Sequence, residues 1–217
     1  MRIGVLGTGT VGRALSGRLA ELGHDVRMGT RDVVRSVGKS DEDFAAWRAA
    51  HPTILLERFA VAAAHAEVVV NAGNGAAALD ILAAAGPLDG KIVLDVSNPL
   101  DPSAGFPPTM LVKDTDSLGE QIQRTHRGAR VVKTLNTLTA ELMVHPDRLA
   151  ADHTVFVSGN DADAKAVVTD LLRQFGHTDV IDLGDITTAR GAEMYLPLWL
   201  RLIGALGTGI FNIKVVR

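Results

Sequence analysis

Arg2-Ile3-Gly4-Val5-Leu6-Gly7-Thr8-Gly9-Thr10-Val11-Gly12 decides how the rest of the chain is read. The run from Arg2 to Leu6 is short, apolar and rich in branched residues, as a buried parallel strand is. Gly7, Gly9 and Gly12 then fit G-x-G-x-x-G. From Val11 the period changes, and Val11, Ala14, Leu15, Leu19 and Leu22 fall on one helical face that Gly23 ends. A glycine turn between a strand and a helix, with a second strand at Asp25 to Met28, is the context in which this motif specifies dinucleotide binding. Gly7 permits the tight turn, Gly9 lets backbone approach a pyrophosphate, and Gly12 lets the helix pack close. Free N–H groups at the helix N-terminus face the phosphates, and Thr8, Thr10 and Val11 join the glycines in holding the pyrophosphate. The plain alternative is a glycine turn with no ligand.

Outward from this unit the chain keeps alternating. Strands are expected at Thr53–Leu56, Glu67–Ala72, Lys91–Val96, Arg130–Thr134, Thr154–Ser158 and Asp179–Leu183. Helices are expected at Asp41–Ala50, Phe59–His65, Ala76–Ala85, Ser117–His126, Asp161–Phe175 and from Thr187 to near Phe211. Pro99 to Asp116, with four prolines, reads as a loop. This is an α/β pattern, a doubly wound, mostly parallel Rossmann-type sheet. It divides into a dinucleotide-binding domain over 1–183 and a small C-terminal helical segment over 184–217.

The 217 residues suit that reading, with 47% hydrophobic and 22% charged residues. Cysteine is absent, which excludes disulfides, thiolate zinc sites and cysteine nucleophiles. A net charge of −3 gives no general attraction to nucleic acid or an anionic membrane. Met194 to Ile213 is the one apolar stretch of any length, but Pro197 and Arg201 interrupt it, and a span needs about 20 residues. The expected location is the cytoplasm. Spacing of four among Met194, Leu198, Leu202 and Leu206 points to a homodimer contact at the edge of the site.

In such sheets ligands bind beyond the carboxyl ends of the strands. The second strand ends Gly29-Thr30-Arg31-Asp32, with no carboxylate where an NAD enzyme binds its ribose. A hydroxyl and a guanidinium suit a 2′-phosphate, so Thr30 and Arg31, with Arg35 adding charge, favour NADP(H). The alternative makes both arginines solvated charges and Asp32 a displaced ribose ligand. Asn71-Ala72-Gly73, Asn98-Pro99 and Asn136 follow the later strands, and the three asparagines form a polar rim around the nicotinamide. The seven histidines have no metal spacing. Neither a serine-nucleophile elbow nor a phosphate-binding Gly-Lys-Ser/Thr occurs. No general acid–base stands out, so no catalytic side chain is assigned. Hydride transfer between bound rings needs alignment more than a side-chain acid.

Gly7-Thr8-Gly9 through His24, Gly29-Thr30-Arg31, Val157-Ser158-Gly159-Asn160-Asp161 and the ending from Ala189 to Lys214 resemble the deazaflavin-dependent NADP reductases (NADPH:coenzyme F-420 oxidoreductases). The resemblance implies a large dinucleotide-binding domain, a small helical C-terminal part and a dimer. It further implies direct hydride transfer between NADP(H) and a deazaflavin. Another flat acceptor, such as a flavin or quinone, is the alternative second substrate. Asn71-Ala72-Gly73-Asn74 stands where that family carries an aliphatic–proline element. A non-catalytic NADP(H)-binding redox sensor and a 3-hydroxyacid dehydrogenase are the competing readings. The latter needs a catalytic Lys on a longer helical domain.

Overall fold

The computed structural model describes residues 1–38 and 42–217. Asp41, expected at the start of a helix, lies outside the described residues.

Eight strands form one sheet: β1 (Arg2–Leu6), β2 (Asp25–Thr30), β3 (Leu55–Arg58), β4 (Val68–Asn71), β5 (Ile92–Asp95), β8 (Arg130–Thr134), β9 (Thr154–Gly159) and β10 (Asp179–Gly184). Between β5 and β8 the short β6 (Leu100–Asp101) and β7 (Thr109–Met110) make a separate antiparallel ribbon. The sheet order is β10-β9-β8-β5-β4-β1-β2-β3. Strands 1 to 3 run one way from β1 and the later ones the other way, so the order reverses between β1 and β4. A ligand crevice opens at such a point.

The helices are α1 (Thr10–Glu21), α2 (Val33–Gly38), α3 (Glu42–Ala50), α4 (Phe59–His65), α5 (Ala78–Ala84), α6 (Leu118–Thr125), α7 (Ala140–Val144), α8 (Ala162–Phe175), α9 (Ala189–Met194) and α10 (Leu196–Leu206). They cover both faces. Leu15 and Leu19 of α1, Phe44, Leu142, Val168 and Leu172 pack on Ile3, Val5, Val68, Val70 and Leu94. Phe59, Ala62, Leu82, Ile122 and Ala189 pack on Leu6, Val69, Val93 and Val131 across the sheet. Successive strand residues thus feed opposite cores, which is why β4 and β5 are apolar and buried over most of their length.

The sheet is mostly parallel, as expected: it is parallel from β3 to β8, and β9 runs antiparallel to β8. The β8–β9 connection holds α7, which packs on α1 instead of crossing the sheet as a right-handed return would. The helix expected from Thr187 onward breaks at Tyr195, with Pro197 in the first turn of α10, and ends at Gly207 (φ 67°), short of Phe211. The proline-rich segment is not wholly loop, since Leu100–Asp101 pairs with Thr109–Met110. No helix among the described residues is long and apolar enough to cross a membrane.

Candidate functional site

The β1–α1 turn is built by close approach. A Cβ on Gly12 would run into the carbonyl oxygen of Gly7, and one on Gly7 (φ 135°) would lie 2.7 Å from the carbonyl oxygen of Ala72. Gly9 is the opposite case: nothing lies within 4 Å of where its Cβ would be. It is the N-cap of α1, and no side chain caps that end. The turn therefore presents open space against uncapped N–H groups, which suits an anion.

From this turn a groove of 380 Å³ runs over the strand ends. Val11, Ala72, Gly73, Ser97 and Asn98 line it, and Pro102 and Pro108 of the ribbon segment form part of its wall. Two prolines of the expected loop thus border the groove. No side chain lining it titrates.

At the end of β2, Thr30 is buried and its Oγ1 lies 2.7 Å from Ser36 Oγ of α2. Arg31 and Arg35 are exposed and form no ion pair with a described residue. Asp32 accepts from the Arg35 N–H and so caps α2. Gly29 is held to glycine by packing. Its Cβ would meet Leu6 Cδ2 at 2.8 Å and Phe59 Cδ1 at 3.1 Å, because α4 lies flat against β2 there.

The three asparagines do not form one rim. Asn98 is half-buried and lines the groove. Its Nδ2 donates to the Asn136 carbonyl (2.8 Å) and its Oδ1 accepts from Asn136 Nδ2 (3.1 Å). Asn136 is buried, and it also donates to the Ala192 carbonyl at 3.1 Å. Asn71 is fully buried, and Pro99 is buried too. Asn71 Oδ1 has no donor, and it lies 3.7 Å from where a Gly73 Cβ would be, under the groove wall.

Sequence reasoning missed the most heavily buried charge. Asn71, Asp95 and Lys133 are cross-strand neighbours on β4, β5 and β8. Lys133 Nζ donates to Asp95 Oδ2 (2.8 Å) and the Ser97 carbonyl (2.6 Å), and lies 3.0 Å from Glu193 Oε1. Burial opposes the ammonium charge, but Asp95 and Glu193 outweigh it and hold the Lys133 pKa above its ordinary value. Asp95 Oδ1 accepts from Asn71 Nδ2 (2.8 Å) and from Ser97 Oγ (2.7 Å) and N (3.2 Å). The Glu193 carboxylate, from α9, accepts from Leu118 N (2.8 Å) and Gly119 N (3.0 Å) at the start of α6. Beside it Arg190 grips Glu120 through two nitrogens, at 2.8 and 2.6 Å. That guanidinium, against the cost of burial, keeps the Glu120 pKa low. One signal was available: each of three apolar strands carries a polar residue at or next to its carboxyl end, Asn71, Asp95 and Lys133.

A family model described as "NADP oxidoreductase coenzyme F420-dependent" matches residues 2–99. A crystal structure from Arthrobacter sp. FB24, assigned to the F420-dependent NADP reductases, is 60% identical, covers 100% of both chains and superposes with a TM-score of 0.98. The F420-dependent NADP reductase of Methanocaldococcus jannaschii is 33% identical over 127 residues, 57% of this chain and 56% of that one. Metalloreductase STEAP3 of Rattus norvegicus is 26% identical over 215 residues, 97% of this chain and 40% of its own. The chain thus spans about half or less of the length of these two curated relatives.

Proposed function

Since the chain belongs to the F420-dependent NADP reductase family, we propose that it is an oxidoreductase that moves hydride between NADP(H) and a deazaflavin or a similar flat acceptor. The carrying observation is the groove at the strand-order reversal, which starts at the uncapped α1 N-terminus and the open space at Gly9. Gly7, Thr8, Gly9, Thr10, Val11 and Gly12 hold the pyrophosphate. Thr30, Arg31 and Arg35 hold the 2′-phosphate, with Ser36 fixing the Thr30 hydroxyl. Ala72, Gly73 and Asn98 border the nicotinamide, and Asn71, Pro99 and Asn136 support that wall from behind.

The cofactor supplies or accepts the hydride. The chain aligns the ring, excludes water with Pro102 and Pro108, and offers no titrating side chain in the groove. The absence of an acid–base group there fits transfer between two rings and disfavours alcohol or carbonyl chemistry, which needs a proton at oxygen. Residues 1–183 act as the dinucleotide-binding domain and 184–217 as its helical edge. The edge pairs with a second copy through α10, where Leu198 and Leu206 are each 56% exposed; a monomeric mass in solution counts against that pairing.

NADPH oxidation followed at 340 nm with a deazaflavin, a flavin and a quinone in turn tests the reading. Turnover with the deazaflavin is expected. Tight NADPH binding without turnover on any acceptor would favour a sensor instead.

A further inference from the structure

We propose that Asp95 and Glu193, only partly neutralised by Lys133, set a fixed negative charge behind the nicotinamide end of the groove that favours the oxidised, cationic cofactor over the reduced one. The inference rests on the cofactor placement proposed above.

The charge count follows from the hydrogen bonds. Asp95 is surrounded by Asn71 Nδ2, Ser97 N, Ser97 Oγ and Lys133 Nζ. Glu193 meets the donors Leu118 N, Gly119 N and Lys133 Nζ. Each carboxyl is met by an ammonium and by backbone or amide N–H donors, all of which its carboxylate form accepts, and both are counted as carboxylates. Lys133 spends its three donor positions on Asp95, the Ser97 carbonyl and Glu193, and is charged. Two carboxylates and one ammonium leave one excess negative charge. The N-terminus of α6 offsets about half a charge of it, at Glu193. The neighbouring Arg190–Glu120 pair is neutral as a unit.

Place and screening make the excess matter. The three side chains are 0–1% exposed, so water and salt screen them weakly. Ser97 belongs to the groove wall and takes Asp95 as acceptor for both its N–H and its hydroxyl, so the charge sits one residue behind the surface. Oxidised and reduced nicotinamide cofactors differ there by one positive charge on the ring. A negative charge therefore tightens the oxidised form selectively and makes the bound reduced form the stronger hydride donor.

The test is the ratio of dissociation constants, Kd for NADP+ over Kd for NADPH, measured by fluorescence titration without any acceptor. Glu193→Gln on α9 and Asp95→Asn on β5 each remove one charge. Each is expected to raise the ratio roughly three- to tenfold. Ser97→Ala removes a hydrogen bond from Asp95 and keeps the charge, so it moves both constants together. A ratio unmoved by either carboxamide variant, or moved as far by Ser97→Ala, overturns the inference and leaves the proposed function standing. Failure of the unmutated protein to bind either form overturns both. If the carboxamide variants do not fold, the unmutated protein decides: NADP+ bound more tightly than NADPH supports the inference, and the reverse order overturns it.

Discussion

The glycine turn and the Lys133 network occupy the same end of the sheet and are built on opposite terms. The turn leaves donors open: α1 has no capping side chain, and nothing lies within 4 Å of a Gly9 Cβ. The network leaves almost nothing open, since Lys133, Asp95 and Glu193 are satisfied by one another, by Ser97 and by the first N–H groups of α6. An open polar surface stores binding capacity. A closed one stores stability and holds its neighbours in place. The two should respond differently to substitution.

The largest expected effect is on the closed side. Lys133→Met keeps the volume and strands two buried carboxylates, which should cost about 3–5 kcal/mol in urea unfolding. A loss below about 1 kcal/mol would show that water reaches the network, and the comparison would fail.

A closed site can also hold a group neutral. His177 is 2% exposed, and burial lowers its pKa to about 4 even though its Nε2 lies 3.0 Å from the Met143 carbonyl. The folded pKa lies below the ordinary 6.5, so the unfolded chain binds the extra proton first. The stability is fully present above pH 6.5 and is lost as pH falls toward 4, by up to about 3 kcal/mol. Urea unfolding across that range checks it, and His177→Leu should flatten the part of the loss that His177 carries.

On the open side, Gly9→Val should behave in reverse. It adds bulk where the fold has room, so stability should change by about 1 kcal/mol or less. NADPH affinity should fall at least about tenfold, since the added carbons occupy the space left for phosphate. Unchanged affinity would mean that the phosphates lie elsewhere.

The difference between the regions also explains what could be read from sequence. The turn lies in six consecutive residues that carry the whole motif, so it was legible at once. So were the buried strands, because β4 and β5 carry their apolar runs without interruption. The network joins positions 71, 95, 97, 133 and 193, which only the strand register and the docking of α9 bring together. Asn71 and Asn136 looked like rim residues for the same reason. Strand-end position is local, but the face a side chain turns to depends on period-2 register counted across three strands. The reversal of β9 was hidden too, since a strand's direction leaves no mark on its composition.

The central claim is that the open region takes a phosphorylated dinucleotide, with Arg31 at the 2′-phosphate. The direct measurement compares NADPH and NADH dissociation constants in the unmutated protein and in Arg31→Glu. NADPH should bind roughly ten- to hundredfold more tightly than NADH, and Arg31→Glu should erase most of that preference while leaving NADH binding nearly unchanged. Equal affinities in the unmutated protein would contradict the account.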